Sequence, residues 1–285
     1  MGVSGFRVDA AKHMNPEDIA AIVGGLKNLP GGGKPYIYQE VIADSATQPS
    51  EYTGNGDVTE FTYHDRVSNA FKDGPIAQLK SLPDEMSVES DKANVFVANH
   101  DTERSAPTLT YKDGAAYDLA NAFTMAYPYG APRLVSGFDF GDNVDAGPPS
   151  DDNGFTKPAS CGDGSPWVCP HRHPLGSGMA GFARAGEGQQ ELTNWWDNGQ
   201  NMIAFGRGNA GFVVLNAGGG QQSGESVNQE FTSSLPAGTY CNVLTGKFEN
   251  GQCDGQTVKV GSDGKFTAKV GANSGVALHV KAKVE

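Results

Sequence analysis

The chain has 285 residues, enough for one large domain or two ordinary ones. Acidic residues outnumber basic ones by 33 to 21, and the formal net charge of −12 argues against nucleic acid or an anionic membrane as the main partner and suits a neutral ligand. No run of about 18 apolar residues occurs, so we expect no membrane-spanning segment.

Residues 1–187 alternate short apolar runs with helical patterns, which predicts a parallel sheet with right-handed crossovers. Asn15-Pro16-Glu17 is typical of a helix start, with an N-cap residue followed by proline. The predicted strands are 5–9, 36–42, 58–61, 94–98 and 133–135. The predicted helices begin after residue 15 and lie within 67–82, 114–127 and 179–184.

Residues 188–285 lack helical patterns and carry alternating strand-like runs separated by short turns. They predict an antiparallel Greek-key β-sandwich of about 100 residues. The glycine-rich segment 217–224 is predicted to be a loop within it. We therefore expect an α/β domain over 1–187 and an all-β domain over 188–285.

The four cysteines form two pairs that are close in sequence, Cys161 with Cys169 and Cys241 with Cys253. Neither pair has zinc-ligand spacing with a second close pair, so two local disulfides are favoured over a metal site. Disulfides indicate an oxidising compartment. The first residues show no secretion signal, so we expect either a mature form or a piece of a longer protein.

Three carboxylates stand where predicted parallel strands end: Asp9, Glu40 and Asp101. Ligands of parallel α/β folds bind at the carboxyl ends of the strands, so we expect these acids to converge on one rim. Paired carboxylates in a neutral-ligand pocket suit glycoside hydrolysis, where one attacks the anomeric carbon and the other protonates the leaving oxygen. The alternative is that each acid only caps the following helix.

The residues around these acids favour catalysis. Three segments, GFRVDAAKHM at 5–14, YQEVI at 38–42 and FVANHD at 96–101, resemble signature motifs of the α-amylases of glycoside hydrolase family 13, in the family's order and spacing. The resemblance continues through 126–133, 167–169, 194–199, 204–209 and 237–241, and is closest to the chloride-dependent animal and actinobacterial branch. It covers essentially the whole chain and implies disulfides at the two cysteine pairs already proposed.

The resemblance implies a role for each matching residue. Asp9 corresponds to the nucleophile and Glu40 to the general acid/base, with their carboxyls about 5–5.5 Å apart as a retaining mechanism requires. Asp101 corresponds to the third carboxylate, which holds sugar hydroxyls and stabilises the transition state. The implied substrate-binding residues are Arg7, Lys12, His13 and His100.

The resemblance also implies a chloride site formed by Arg7, Asn99 and Arg133. Two arginines buried beside Glu40 would hold it ionised, and a chloride between them would offset their charge so that Glu40 can act as an acid. The alternatives are that Arg7 pairs with Asp9 or Asp101, and that Arg133 is a solvated residue at the start of a strand.

The family's barrel has eight strands, and this chain opens on a strand that resembles the fourth, so we expect an incomplete (β/α)8 TIM barrel of about strands 4–8. The backbone carbonyl of His13 is the one implied ligand of the family's structural Ca²⁺, and the family's glycine-rich flexible loop is shortened at 105–113. A five-stranded parallel sheet would expose an apolar edge, so we expect the isolated chain to be poorly stable and weakly active.

The leading hypothesis is an α-amylase fragment that hydrolyses internal α-1,4 bonds of starch, glycogen or their oligosaccharides. The alternatives are a transglycosylase of the same clan and an inactive protein that only binds starch. The resemblance further implies secretion, a monomeric parent protein and no nucleic-acid or membrane partner. A metal site at His171-Arg172-His173 is less favoured, and Trp195 and Trp196 are assigned to packing between domains in preference to sugar stacking.

Overall fold

A computed structural model describes residues 2–104, 109–218 and 227–284. The chain divides into two compact units, the first formed by Met1–Arg66, Ser81–Phe96 and Tyr129–Arg133, the second by Val67–Lys80, Val97–Pro128 and Leu134–Glu285. Most of the predicted loop at 217–224, and residues 105–108 of the loop predicted to be shortened, lie outside the described residues. The domain boundary between 187 and 188 stays a prediction.

The first unit contains a five-stranded parallel sheet, as the alternating apolar runs predict. Its strands lie side by side in chain order. They are β1 (Gly5–Val8), β2 (Tyr36–Gln39), β3 (Asp57–Thr59), β4 (Ala93–Phe96) and β5 (Ala131–Arg133). Strand β4 is buried at all four positions, which is typical of parallel sheets. Phe6 on the edge strand β1 is 47% exposed.

The α-helices are α1 (Pro16–Gly24), α2 (Phe61–Lys72), α3 (Ala115–Ala126) and α4 (Pro174–Ala185). Short 3-10 helices cover Ala11–His13, Pro49–Asn55, Ile76–Glu85, Ser90–Lys92, Tyr111–Asp113, Pro170–Arg172 and Val280–Ala282. The predicted start of α1 is confirmed, because Asn15 Oδ1 accepts a hydrogen bond from the Glu17 N–H at 3.1 Å. Its apolar face is narrower than the sequence pattern suggests: Ile19 is buried, whereas Ile22 is 59% exposed.

The last parallel strand lies two residues earlier than predicted. The prediction of 133–135 followed the apolar pair Leu134-Val135, but β5 pairs with β4 through Ala131, Pro132 and Arg133. Gly130 explains the start. It has a φ of 72°, and a Cβ at this position would lie 2.6 Å from a methyl group of Val95, so only glycine lets the chain enter the sheet here.

The second unit contains the predicted antiparallel β domain. Before it, β6 (Gly137–Phe138) and β7 (Trp167–Val168) form a separate two-stranded sheet. The strands of the β domain are β8 (Leu192–Asp197), β9 (Met202–Arg207), β10 (Gly211–Asn216), β11 (Val227–Thr232), β12 (Gly238–Cys241), β13 (Phe248–Glu249), β14 (Gln252–Cys253), β15 (Thr257–Val260), β16 (Lys265–Val270) and β17 (Ser274–His279). The main sheet has the order β17-β10-β9-β8, and β11 pairs with β16 and β12 with β15.

An apolar core joins the strands of this β domain. It includes Phe212 and Val214 from β10, Phe231 from β11 and Phe266 from β16, all at most 4% exposed. Phe212 meets Phe266 edge to face at 5.5 Å, a favoured aromatic arrangement. The core therefore holds together strands that the backbone ladders alone leave in separate pairs.

Trp195 and Trp196 point to different neighbours because β8 contains a bulge. The pairing of β8 with β9 shifts between Thr193 and Trp196, and Asn194 has a φ of 50°. Trp195 stacks on Phe205 at 5.5 Å, and Phe205 also contacts Phe123 of α3. Trp196 packs against the β-domain core. Both rings thus pack on aromatic residues of the β domain, and packing between domains stays a prediction.

Both predicted disulfides are present in the structure. Cys161 is bonded to Cys169 and Cys241 to Cys253, with Cα–Cα distances of 5.8 and 5.4 Å. Each closes a local loop. Within the described residues, no helix has the length and apolar character needed to cross a membrane.

Candidate active site

The guanidinium of Arg7 links two of the predicted catalytic acids in the first unit. Arg7 points from β1, Asp9 follows that strand directly, and Glu40 follows β2. Arg7 Nη1 donates to Asp9 Oδ1, and Nη2 donates to Glu40 Oε1 at 2.7 Å. Because β1 and β2 are parallel neighbours, their carboxyl ends meet at one edge of the sheet. Asp9 and Glu40 are thus brought together as predicted, on either side of one cation.

Glu40 is fixed by its backbone and by both carboxylate oxygens. Its N–H donates to the Val8 carbonyl and its carbonyl accepts from the Ala11 N–H, both at 2.9 Å. Oε2 accepts from the Ala10 N–H at 3.0 Å. Ala10 adopts a left-handed conformation (φ 45°), which turns this N–H toward the carboxylate. The side chain of Glu40 is only 10% exposed, so its position is defined by these contacts.

Asp9 differs from Glu40 in its access to solvent. Its side chain is 71% exposed although Arg7 contacts it. An exposed carboxylate held by one cation can reach a ligand, whereas the buried Glu40 carboxylate is held in one orientation. The two acids therefore have environments suited to different roles.

Lys12 and His13 lie on the short helix that follows Asp9. Lys12 Nζ contacts Asp44 Oδ2 at 3.2 Å. The backbone N–H groups of Ala46 and Thr47 also donate to Asp44. These contacts lower the pKa of Asp44, and the bond from Ala46 has the largest effect. The sequence analysis did not single out Asp44, although an acid four residues after Glu40 was a visible signal. His13 is exposed.

Asn99, His100 and Asp101 form a compact turn in the second unit. Asn99 Oδ1 accepts from the N–H groups of Asp101 and Thr102 at 2.9 and 2.8 Å. This leaves the Asn99 amide nitrogen as the donor end of that side chain. His100 Nε2 lies 3.3 Å from Asp101 Oδ2, and both side chains are about 60% exposed. The turn thus presents His100 and Asp101 to solvent; that the three acids converge on one rim stays a prediction.

Arg133 lies in the first unit with two tyrosines that the sequence analysis did not single out. Its guanidinium lies over the rings of Tyr38 at 4.7 Å and Tyr36 at 5.4 Å, and its Nε donates to Asn94 Oδ1 at 3.1 Å. Tyr38 is also in register with Arg7 across the β1–β2 pair. The i, i+2 spacing of the tyrosines on β2 was the available signal.

Two expectations about the arginines need correction. Arg133 is exposed and is the last residue of β5, so the structure does not show two arginines buried beside Glu40. The cation–π contacts with the tyrosines hold it on the surface of the sheet. Arg7 lies beside Glu40 as the implied chloride site requires, but its side chain is 24% exposed, and it also pairs with Asp9, one of its two suggested alternative partners.

Glu103 and Arg104 follow the turn that presents Asp101. Burial raises the pKa of Glu103, although the neighbouring Arg104 opposes that shift. The Arg104 guanidinium lies over the rings of Phe138 and Phe140 at 5.2 and 4.5 Å. These contacts anchor the end of the turn to the segment after β5.

The described part of the chain contains no cluster of three or more His, Cys, Asp or Glu residues that could hold a metal ion. Ca²⁺ takes six to eight oxygen ligands, which the single carbonyl of His13 does not supply. The residues described here therefore do not by themselves fit the implied calcium ion. At His171, the Nδ1 atom is engaged with Ser136 Oγ at 2.6 Å.

The described residues thus combine a parallel sheet that carries paired acids at its strand ends with an antiparallel β domain. Residues 193–281 match the family model described as the α-amylase C-terminal all-beta domain. Over 285 residues the chain is 47% identical to an α-amylase of Thermomonospora curvata, and over 307 residues 44% identical to one of Tenebrio molitor. These alignments cover 99% and 100% of this chain.

Solved structures give the same result. A mutant of α-amylase I from Eisenia fetida, in complex with maltohexaose, superposes with a TM-score of 0.87 at 35% identity and covers 98% of this chain. The resemblance to α-amylases is therefore confirmed over the whole chain. The chain spans 45% and 63% of the length of the two curated relatives and 62% of the solved chain.

Proposed function

We propose that the protein carrying this chain is an α-amylase that hydrolyses internal α-1,4-glucosidic bonds of starch, glycogen or their oligosaccharides with retention of configuration. The observation that carries the proposal is the bridge from Arg7 to both Asp9 and Glu40. The similarity to α-amylases supports it, as does the maltohexaose bound by the Eisenia fetida relative.

In this mechanism Asp9 and Glu40 act on opposite sides of the scissile bond. Asp9 attacks the anomeric carbon while protonated Glu40 gives its proton to the leaving glycosidic oxygen, so the C–O bond breaks as the ester to Asp9 forms. Glu40 then takes a proton from water, whose oxygen displaces Asp9 from the sugar. Exposure of Asp9 and the fixed carboxylate of Glu40 suit these two roles.

The remaining candidate residues would bind the glucan. Asp101 holds sugar hydroxyls and stabilises the positive charge that develops on the sugar ring, and His100 beside it donates to the sugar in the cleaved subsite. Lys12 and His13, on the short helix after Asp9, line the leaving-group side. Arg7 positions both reacting acids.

We assign the five parallel strands to about strands 4–8 of a (β/α)8 barrel. Their side-by-side order in the chain supports this assignment, because consecutive strands are neighbours in such barrels. The all-β domain is assigned to residues 188–285 and the barrel part to residues 1–187, and the family match over 193–281 supports this boundary. A Greek-key arrangement is assigned to the β domain.

Chloride is proposed as an activator held by Arg7, Asn99 and Arg133. Each of the three side chains carries N–H donors suited to an anion: Arg7 and Arg133 have guanidinium groups, and Asn99 keeps its amide nitrogen free of the backbone N–H groups that occupy its oxygen. Bound chloride would supply a negative charge that offsets the arginines. Ca²⁺ is retained only as a structural ion of the family, and no step here depends on it.

The protein is proposed to be secreted and monomeric. Two disulfides within the described residues support an oxidising location, because such bonds are rare in the cytosol. The net charge of −12 supports the absence of nucleic-acid and anionic-membrane partners.

The test uses the natural protein that carries this chain, at its full natural length. Asp9→Asn, Glu40→Gln and Asp101→Asn should each lower maltoheptaose hydrolysis about a thousandfold or more, whereas Asp145→Asn, at an exposed acid outside the site, should leave it unchanged. If Asp9→Asn or Glu40→Gln hydrolysed maltoheptaose at a tenth of the normal rate, the catalytic role of that acid would be refuted. The 285-residue chain, assayed in parallel, tests the expectation of weak activity.

Product analysis separates the alternatives. Mass spectrometry of products formed with an added acceptor sugar should show mainly hydrolysis, and dominant transfer to the acceptor would identify a transglycosylase. Retention on starch without released reducing sugar would identify a protein that only binds. Trapping with a fluorinated α-glycosyl fluoride should place a sugar adduct on Asp9 and on no other carboxylate.

A further inference from the structure

A cleft in the second unit lies outside the candidate active site. Its volume is about 450 Å³, within the range of small-molecule sites. Helix α4, the segment before it and the end of β17 form its walls, together with the short hairpin of β13 and β14. None of the proposed catalytic or glucan-binding residues lines it. We call it the basic cleft.

The charge of the basic cleft is opposite to that of the protein. Arg172, Lys247 and Lys281 line it, against a single carboxylate from Glu249. The protein as a whole has a net charge of −12. Among the described residues, no ion pair joins any of these three cations to a carboxylate. Such a local excess of positive charge concentrates anions.

The direction of Arg172 is set by a neighbouring histidine. Arg172 Nε donates to His171 Nε2 at 3.3 Å, which makes Nε2 the acceptor nitrogen of a neutral ring. His171 Nδ1 therefore carries the proton and donates to Ser136 Oγ at 2.6 Å. This chain of two hydrogen bonds leaves the terminal nitrogens of Arg172 as the donors that a ligand would meet.

A buried histidine in the wall of the cleft has an unused polar atom. His279 is 5% exposed, and its Nδ1 atom has no hydrogen-bond partner among the described residues. Its ring packs edge to face on Phe182, with the ring centroids 6.2 Å apart. A Cβ at Gly181 would lie 3.3 Å from His279 Nε2, so helix α4 passes close to the ring. Unpartnered buried polar atoms are costly and mark sites where a ligand can supply the bond.

We propose that the basic cleft binds a small phosphate-bearing sugar, of the size of a hexose phosphate. Arg172, Lys247 and Lys281 supply the positive charge that a phosphate dianion requires. Phe248, half-buried in the same wall, offers an apolar face for the sugar ring. Ser177 in the same lining offers a hydroxyl that can exchange hydrogen bonds with sugar hydroxyls.

The composition of the cleft favours phosphate over other ligands. A neutral sugar would leave three cations without a partner, and an anionic polymer would be repelled by the overall negative charge. A carboxylate brings one negative charge to these cations, whereas a phosphate monoester brings close to two and three acceptor oxygens. The phosphate group therefore makes the larger number of charge-assisted hydrogen bonds.

Isothermal titration calorimetry of the natural protein that carries this chain, at its full natural length, with four probes tests this proposal. The probes are glucose 6-phosphate, inorganic phosphate, gluconate and glucose. We expect glucose 6-phosphate to bind at least tenfold more tightly than gluconate, inorganic phosphate to bind more weakly than glucose 6-phosphate, and glucose to give no signal. Raising the salt from 50 to 200 mM should weaken binding, since the attraction is between exposed charges.

Two double variants localise the binding. Lys247→Met with Lys281→Met should weaken glucose 6-phosphate binding at least tenfold, and both lysines are exposed, so the core is undisturbed. The control, Lys259→Met with Lys269→Met, removes the same number of positive charges at exposed positions of β15 and β16. Its affinity for glucose 6-phosphate should be within twofold of that of the parent. Asp9→Asn should also bind normally, which separates this site from the proposed activity.

Several results would overturn the proposal. Absence of glucose 6-phosphate binding at millimolar concentration would remove the site, and equal binding of glucose or gluconate would remove the phosphate assignment. Equal weakening in the two double variants would show attraction to net charge without a site.

Discussion

Arg7 Nη2 and Glu40 Oε1 lie 2.7 Å apart, although the two residues are separated by 33 positions in the chain. The contact joins the last part of β1 to the residue after β2, and the Glu40 side chain is 10% exposed. Since Arg7 also holds Asp9, one cation sets the positions of both acids in the proposed reaction. Stability and activity are therefore coupled at this arginine.

The variant Arg7→Met should lower the free energy of unfolding by about 1–3 kcal/mol, because it leaves the nearly buried carboxylate of Glu40 with only the Ala10 N–H. Urea unfolding of the variant and parent measures this. Lys12→Met, which breaks a more exposed pair with Asp44, is the control and should lower the free energy of unfolding clearly less than Arg7→Met does. Adding Glu40→Gln to Arg7→Met should recover part of the loss, because a neutral amide needs no counter-charge. Equal costs for Arg7→Met and Lys12→Met would contradict this account.

The variant Gly178→Ala should destabilise the second unit by about 1–3 kcal/mol, as overpacking does. Gly178 is in α4, and a Cβ there would lie 1.9 Å from the backbone carbonyl oxygen of Val243. Gly24→Ala is the control, because Gly24 is helical but has no atom within 4 Å of the added Cβ. It should stabilise by about 0.5–1 kcal/mol. Thermal unfolding distinguishes the two, and a neutral Gly178→Ala would show that α4 is not packed as described.

Removal of the disulfide between Cys241 and Cys253 should lower the free energy of unfolding by about 2–3 kcal/mol, because this bond restricts the unfolded chain by closing a short loop. The double variant to alanine, compared with the parent in urea unfolding, measures this. In a reductant titration, the bond from the exposed Cys161 should break first, since Cys241 is fully buried. Mass spectrometry after alkylation reads the order, and earlier loss of the Cys241 bond would contradict the burial argument.

Acid should destabilise the fold through His279. Burial, together with the nearby Lys281, lowers the pKa of His279 to about 4 from its ordinary 6.5. His279 in the unfolded chain therefore binds a proton at a higher pH than it does in the folded protein. The contribution of neutral His279 to the free energy of unfolding is constant above about pH 6.5 and is lost as the pH falls toward 4. Between neutral pH and a pH below 4, this group lowers the free energy of unfolding by about 3 kcal/mol.

The variant His279→Phe isolates this effect. Urea unfolding at pH 7 and pH 4.5 should show a smaller loss of stability on acidification for the variant than for the parent. Identical losses in the two proteins would show that His279 does not remain neutral in the folded state.

The sequence predicted much of the candidate site but not its internal contacts. The positions of Asp9 and Glu40 at strand ends followed from apolar runs that break at an acid. Arg7 was expected either beside Glu40 in a chloride site or paired with Asp9 or Asp101, and its simultaneous contact with Asp9 and Glu40 was not predicted. That contact depends on the register of β1 against β2, which a local pattern does not contain.

Errors in the elements have similar causes. Strand β5 was placed on Leu134 and Val135 because they are apolar, but the close approach of Gly130 to Val95 starts the strand earlier. Arg133 consequently ends a strand and lies on Tyr36 and Tyr38, a cluster formed by two distant parts of the chain.

By itself the sequence predicted the parallel sheet, the strand-end acids and both cysteine pairs from local composition and spacing, and its motifs carried the resemblance to α-amylases. Only the tertiary structure decided that one guanidinium joins Asp9 to Glu40, that His279 is buried with no partner for Nδ1 among the described residues, and that a basic cleft forms beside it. These features arise where distant segments meet, and their geometry is fixed by strand register and side-chain packing, which no single stretch of sequence encodes.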